Sequence, residues 1–203
     1  MNSGRWREVD AGDTAYHLEY LDVAAARLRE DRRQVTDALA VEPGCSVLDV
    51  GSGAGEFLIE LVASVSQVHA VGVDASESLV ATARARAEAA GAAVRFEVGD
   101  AEHLEFVDGS FDRVNCSRVL LHLDDARGAV AEMARVLVPG GRVAIFEPDF
   151  DGLMIDSDDL ATATAVRSAL TAVVRNPDIG RRLRRLAWMH RSASGPRLLM
   201  VKA

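Results

Sequence analysis

Three glycines and a series of acidic residues at the ends of apolar segments are the parts of this 203-residue chain whose spacing could do chemistry. Gly51, Gly53 and Gly55 follow the strand-like run 46–50 and precede an apolar segment with helical spacing that starts at residue 56. This order predicts a strand, a tight turn and a helix, which is the corner where doubly wound α/β folds bind nucleotides. Glycines here allow a sharp turn and let a ligand approach the main chain closely.

Further acidic residues stand downstream at the ends of two more strand-like segments. Asp74 follows the segment 68–73, and Asp100 follows the segment 93–98. A carboxylate after the second strand can accept hydrogen bonds from both hydroxyls of a ribose, and one after the third can accept from an adenine amino group. A Pro-Gly-Gly turn at 139–141 then leads into another apolar segment. In this order the signals predict a nucleoside site.

A dinucleotide is the competing ligand for the same corner. Its fingerprint requires glycines at the first, third and sixth positions of the turn, and the sixth position counted from Gly51 is Glu56. A carboxylate that faces a pyrophosphate would be repulsive. We therefore expect a nucleoside ligand without phosphates.

The rest of the chain alternates between two periodicities. Apolar spacing predicts helices over 55–65, 77–90, 125–137, 158–175 and 179–186, and strands over 46–50, 68–73, 93–98, 112–116 and 141–147. Ser76 is expected to cap the helix that begins near Glu77. The alternation predicts an α/β fold with a doubly wound, mostly parallel sheet and helices on both faces.

Composition argues against several functions. Lys and Arg number 23 against 31 Asp and Glu, a net charge of −8, so we expect no general affinity for nucleic acid. No apolar run is long enough to span a membrane, and the first residues are polar. Cys45 and Cys116 cannot build a disulfide framework, so a cytoplasmic location is expected. The five histidines lack metal-ligand spacing, and no metal is expected.

The motifs as a set resemble those of the class I S-adenosylmethionine-dependent methyltransferases. The segments that carry the resemblance are 47–55, 71–76, 99–101, 110–125 and 139–146. Within that family the chain resembles the small-molecule branch of ubiquinone/menaquinone-type and natural-product tailoring enzymes. The resemblance implies S-adenosylmethionine as cofactor, S-adenosylhomocysteine as product, and methyl transfer to an oxygen of a secondary metabolite or quinone-like compound. It assigns residues 1–40 to an N-terminal helical cap or lid and 41–203 to the cofactor-binding domain.

The resemblance also implies a set of cofactor-binding residues. The glycine-rich turn is expected at the methionine part, Asp74 at the ribose and Asp100 at the adenine. The full set is Asp49, Gly51, Ser52, Gly53, Asp74, Ala75, Leu79, Gly99, Asp100, Ala101, Cys116 and Ser117. Three of these have an alternative that stays open: Asp49 supports only the loop, Leu79 belongs to the core, and Cys116 is inert filling.

His122 is the candidate catalytic residue. Its unperturbed pKa lies near neutrality, so it suits a general base for a hydroxyl acceptor, although packing and hydrogen bonding are the alternative role. An Asn-Pro-Pro-Tyr or Asp-Pro-Pro-Tyr run, which supports nitrogen methylation in some related enzymes, is absent after the fourth strand. A small-molecule substrate is therefore favoured. The second class of function is a cofactor-binding protein of the same fold without methyl transfer, such as a cyclase or a regulatory protein.

The C-terminal end departs from the family pattern. Family members usually end with a helix and two strands, the last of them antiparallel, but only 17 residues follow Leu186. We expect closing strands that are short or incomplete, either a hairpin of 188–192 and 197–201 or a shortened remnant. The acceptor pocket would then be open on that side unless a second copy of the chain covers it, so a homodimer is one expectation.

Overall fold

The computed structural model of this protein describes residues 29–188 and 197–201. Strands and helices alternate through this part of the chain. The strands are β1 (Ser46–Val50), β2 (His69–Asp74), β3 (Val94–Val98), β4 (Phe111–Ser117), β5 (Leu137–Phe146) and β6 (Arg197–Val201). The helices are α1 (Arg29–Leu39), α2 (Glu56–Ser64), α3 (Glu77–Ala90), α4 (Ala126–Val136), α5 (Leu160–Ala172) and α6 (Ile179–Trp188).

The strands form one sheet in the order β3-β2-β1-β4-β5-β6, and every neighbouring pair is parallel. This is the strand order of doubly wound nucleotide-binding folds. The order reverses between β1 and β4, and such a switch point is where ligands bind in open α/β sheets. The glycine-rich turn follows β1 directly and therefore lies at the switch point.

Helices cover both faces of the sheet, which confirms the predicted architecture. Successive strand residues point to opposite faces, so Val47 packs with α1, α2 and α3 while Leu48 packs with α4 and α6. The same alternation divides β5, where Ala144 and Phe146 join the first cluster and Val143 and Ile145 join the second.

The fifth strand begins earlier than the sequence indicates. The prediction placed a turn at 139–141 and a strand from 141, but β5 starts at Leu137 and includes the turn residues. Leu137 pairs with Phe111, and the register of the two strands then shifts before Arg113. A bulge of this kind accommodates the Pro-Gly-Gly sequence inside the strand, and Gly140 supplies the positive φ of 79° there.

The described C-terminal strand is short, as predicted, but its arrangement differs from the predicted hairpin. Trp188 is the last residue of α6, so the hairpin strand predicted from 188 is wrong at its start, and 189–192 lie outside the described residues. Arg197–Val201 forms β6 and pairs parallel with β5. The described part of the sheet thus closes with one five-residue strand, because the crossover through α5 and α6 returns the chain in the parallel direction.

Part of the predicted N-terminal cap packs on the sheet. Val35 and Leu39 of α1 are buried in the same cluster as Val47, which joins this helix to the core of the domain. Residues 1–28, the remainder of the predicted cap 1–40, lie outside the described residues. Across residues 29–188 and 197–201, no helix has the length and apolar character needed to cross a membrane.

Candidate functional site

The glycine-rich turn after β1 requires its glycines. Gly51, Gly53 and Gly55 have φ angles of 71°, 53° and 89°, in the left-handed region that other residues rarely adopt. A Cβ on Gly51 would lie 2.2 Å from Cγ2 of Val119, and one on Gly55 would lie 2.8 Å from Cζ of Phe96. The turn is therefore packed tightly against the segment after β4 on one side and against β3 on the other.

The backbone amides of this turn are already bound within the chain. The amides of Gly51 and Ser52 donate to the carbonyl of Val73 at 2.7 and 3.0 Å. The amide of Gly53 donates to Oδ2 of Asp74 at 2.8 Å, and the amide of Gly55 donates to the carbonyl of Ser52 at 3.0 Å. A pyrophosphate would need such amides as donors. The geometry therefore favours a ligand without phosphates.

Asp74 connects the turn to the start of α3. Its Oδ2 accepts from the amide of Gly53 and its Oδ1 accepts from the amide of Ser76 at 2.9 Å. The carboxylate thus stands at the end of β2, where the sequence analysis expects the ribose. Ser76 caps α3, as predicted, by accepting from the amide of Leu79 at 3.2 Å. Leu79 itself is half-buried and Ala75 is exposed.

A chain of buried polar side chains lies beside the turn. Asn115 is the partner of Asp49 across β1 and β4; its Nδ2 donates to Oδ1 of Asp49 at 2.7 Å, and Ser117 Oγ donates to Oδ1 of Asn115 at 2.9 Å. Burial raises the pKa of Asp49 to about 7; the Asn115 hydrogen bond opposes the shift, and the charges of Asp74 and Glu56 add to it. Asn115 was missed by the sequence analysis, although a polar residue inside an apolar strand was an available signal.

The end of β3 is tied to the end of β2. The amide of Gly99 donates to the carbonyl of Asp74 at 3.0 Å, and a Cβ on Gly99 would lie 2.9 Å from Cγ1 of Val73. Asp100 is exposed at the same edge. The side chain of Ala101 is buried in the core, so only its main chain is available to a ligand.

Cys116 and Ser117 end β4 in different environments. The thiol of Cys116 is fully buried in the core, and burial raises its pKa further above the ordinary range, so it is not a reactive thiolate. Ser117 is partly buried and bound to Asn115. Contact of Cys116 with a ligand would therefore run through its backbone.

His122 lies in the segment that joins β4 to α4, Arg118–Asp124, which we call the post-β4 segment. The imidazole is partly buried, and burial together with the nearby charge of Arg118 lowers its pKa below the ordinary value. At neutral pH the ring is accordingly uncharged, which is the state that a general base requires. Its role at a substrate stays a prediction.

Two buried polar atoms in the described part of the chain have no hydrogen-bond partner: Oγ of Ser52 and Oε2 of Glu147. Buried polar groups are normally paired, so each of these two atoms calls for a partner that the described residues do not supply. Ser52 is in the glycine-rich turn, so its hydroxyl suits the polar methionine part of the implied cofactor. Glu147, which directly follows β5, was not among the predicted site residues.

The fold defines a class of protein: a doubly wound α/β domain whose glycine-rich turn lies at the switch point, where such folds bind ligands. Comparison with known proteins identifies the family that this domain matches. Residues 47–141 match the family described as "Methyltransferase domain". This region is a methyltransferase domain of the class I type, whose members use S-adenosylmethionine.

Individual relatives agree with this assignment. An uncharacterized 37.1 kDa protein of transposon TN4556 from Streptomyces fradiae is 42% identical over 187 residues, which are 91% of this chain and 54% of that protein. Demethylmenaquinone methyltransferase of Deinococcus radiodurans is 42% identical over 124 residues, 60% of this chain and 51% of that enzyme. The crystal structure of the cyclase SpnF superposes with a TM-score of 0.56 at 25% identity, over 70% of this chain and 56% of that one. The chain thus spans about half of each curated relative.

Proposed function

We propose that this protein transfers a methyl group from S-adenosylmethionine to a small-molecule acceptor, at an oxygen of a secondary metabolite or quinone-like compound. The observation that carries the proposal is the glycine-rich turn with its amides bound internally, beside Asp74 at the end of β2. The match of residues 47–141 to a methyltransferase domain supports the reaction. The name of the Deinococcus relative, a demethylmenaquinone methyltransferase, supports a quinone-like acceptor.

The residues at the switch point would hold the cofactor in a defined order. The glycine-rich turn and the unpaired hydroxyl of Ser52 suit the methionine part, Asp74 the ribose and Asp100 the adenine. The bound cofactor supplies an activated methyl group on a sulfonium. The chain's task is therefore to align the acceptor and to exclude water.

His122 would take the proton that a hydroxyl acceptor loses. Its ring is uncharged at neutral pH because burial and Arg118 lower its pKa, so it can accept a proton when the acceptor oxygen forms its new bond. The transfer balances, since the hydroxyl proton moves to the imidazole and is later released to solvent.

A second candidate is binding of the same cofactor without methyl transfer. The likeness of the fold to the cyclase SpnF supports this alternative. One experiment separates the two candidates: the purified protein is incubated with methyl-labelled S-adenosylmethionine and a panel of hydroxylated aromatic compounds. Label in an acceptor supports methyl transfer. Cofactor binding without transferred label supports the second candidate.

The proposal includes partners and location. A small-molecule substrate without nucleic-acid or membrane partners agrees with the net charge of −8. We propose a cytoplasmic location on the basis of the two cysteines, and a homodimer because no side chain of α5 is buried and large apolar residues in and beside this helix are exposed. These are Leu153, Met154, Leu160, Val166 and Val173. Light scattering that shows a monomer at all concentrations would exclude the homodimer.

Ligand choice gives the first prediction. S-adenosylhomocysteine should bind in the micromolar range, whereas NAD should not bind, because the amides of the turn are occupied and Glu56 stands where a dinucleotide site has its last glycine. Isothermal titration calorimetry on the purified chain measures both. Tight binding of NAD with no binding of S-adenosylhomocysteine would contradict the proposed function.

The ribose contact gives the second prediction. Asp74→Ala should weaken binding of S-adenosylhomocysteine by about 1.5–3 kcal/mol, the scale of hydrogen bonds to a charged group. Part of this loss would come from the turn, since Asp74 also accepts from the amide of Gly53. Asp158→Ala, an exposed carboxylate far along the chain, is the control. An unchanged dissociation constant in a folded Asp74 variant would show that this residue is not at the ribose.

A further inference from the structure

The amides of the post-β4 segment are held by one buried carboxylate. Oε1 of Glu147 accepts from the amide of Val119 at 2.7 Å and from the amide of Leu120 at 2.6 Å. Glu147 is 3% exposed and directly follows β5. It lies 28 positions after Val119 and 27 positions after Leu120 in the chain. A single side chain therefore fixes two consecutive peptide groups of a neighbouring segment.

The carbonyls of the same segment are held from the connection between α5 and α6. Nδ2 of Asn176 donates to the carbonyl of Leu120 at 3.0 Å and to that of Leu123 at 2.8 Å. The backbone amides of Arg175 and Asn176 both donate to the carbonyl of Leu121, at 3.0 and 2.9 Å. Arg175 also forms an ion pair with Asp124. The segment is thus bound on its donors and on its acceptors by two different parts of the chain.

This segment carries the candidate general base and a residue that packs on the glycine-rich turn. Val119 supplies the methyl group that leaves no room for a Cβ on Gly51, so its position sets one wall of the glycine-rich turn. His122 lies three residues further on. Arg118, at the start, has a φ of 62°, a strained conformation for a residue with a side chain, which persists only when its surroundings hold it.

Stability alone does not account for Glu147. Burial raises its pKa to about 7, although the amides of Leu120, Val119 and Leu121 and the charge of Arg118 act in the opposite direction. Its second oxygen is buried without a partner. A buried carboxylate with an idle oxygen costs free energy that an apolar side chain would not. Its two hydrogen bonds to the post-β4 segment offset this cost, and the same bonds fix the geometry of that segment.

We propose that Glu147 and Asn176 are positioning residues of methyl transfer, which hold the post-β4 segment so that Val119 packs on the glycine-rich turn and His122 keeps its place. This inference rests on the proposed function for its meaning in catalysis. The positional effect can be measured without knowing the acceptor.

The test follows the imidazole of His122 by NMR titration in the complete chain saturated with S-adenosylhomocysteine. Glu147→Ala should raise the pKa of His122 toward its ordinary value by about 0.5 or more, because a released segment exposes the ring to water. Glu147→Gln keeps an oxygen that can accept both amides but removes the charge, so it should not raise the pKa of His122. Loss of negative charge alone would lower the pKa of His122, the opposite direction.

A matched control and a second variant complete the design. Glu132→Ala removes a carboxylate that accepts from the amide of Leu104 at 2.9 Å and not from the post-β4 segment, and should leave the His122 titration in place. Asn176→Ala releases the carbonyls and should shift the titration as Glu147→Ala does, which keeps the test decisive if the glutamate variant fails to fold. Unchanged His122 titrations in folded Glu147→Ala and Asn176→Ala variants would overturn the positioning role. Failure of the unsubstituted protein to bind S-adenosylhomocysteine would instead overturn the proposed function.

Discussion

Asp49→Asn should raise the free energy of unfolding at pH 8.5 by on the order of 4 kcal/mol. Burial raises the pKa of Asp49 from 3.8 to about 7 in the folded protein, and this difference at ~1.4 kcal/mol per pH unit gives the magnitude. The substituted amide keeps an oxygen that can accept from Nδ2 of Asn115, so the buried hydrogen bond at 2.7 Å is retained. The variant removes only the cost of the buried charge.

The direction of the pH dependence follows from the raised pKa. The folded protein binds the Asp49 proton more tightly than the unfolded chain, so this group favours folding most below pH 3.8. That contribution is lost as the pH rises from 3.8 to about 7. Urea unfolding between pH 5 and 8.5 should therefore show a loss of stability in the unsubstituted protein and a flatter profile in Asp49→Asn. Asp158→Asn, an exposed carboxylate, serves as the control.

The same variant separates the two roles left open for Asp49. If the carboxylate binds the amino group of the cofactor, Asp49→Asn should weaken binding of S-adenosylhomocysteine while it stabilises the fold. If it only supports the turn through Asn115, the affinity should stay unchanged. A profile that remains as steep as that of the unsubstituted protein would show that Asp49 does not titrate in this range.

Local patterns were sufficient for the elements that carry the site. The predicted strand 46–50 is β1 with the same bounds, and α3 begins at Glu77 after the predicted Ser76 cap. Both depend on residues close together in the chain, where apolar periodicity and cap chemistry act directly. The parallel order of the sheet followed from the alternation of these elements.

Contacts between distant segments could not be predicted in the same way. The Asn115–Asp49 hydrogen bond depends on the register of β4 against β1, and the hold of Glu147 on Val119 spans 28 positions. Neither residue has a neighbour in sequence that indicates its partner. The strand 197–201 was predicted with the bounds of β6, but its partner was not: the hairpin interpretation paired it with 188–192, whereas it pairs parallel with β5.

Phe96→Ala should cost about 3–5 kcal/mol of stability, the range for loss of a buried phenylalanine with a cavity left behind. Phe96 is 2% exposed, and its ring fills the space beside two glycines: a Cβ on Gly55 would lie 2.8 Å from its Cζ, and one on Gly72 would lie 2.5 Å from its Cδ1. The cavity would open directly beneath the glycine-rich turn. Differential scanning calorimetry and urea unfolding measure the loss.

The position of this cavity predicts a second effect, on the ligand. A turn that loses its support samples more conformations, so binding of S-adenosylhomocysteine should weaken by roughly tenfold, about 1.4 kcal/mol. Phe106→Ala is the matched control, because this half-buried ring packs edge-to-face on Phe111, with centroids 5.0 Å apart, in the opposite core cluster. It should cost less stability and leave the affinity alone. Equal affinities in the two variants would mean that Phe96 supports the core without shaping the turn, whereas a selective loss in Phe96→Ala would show that the close packing of glycines on this ring serves the site.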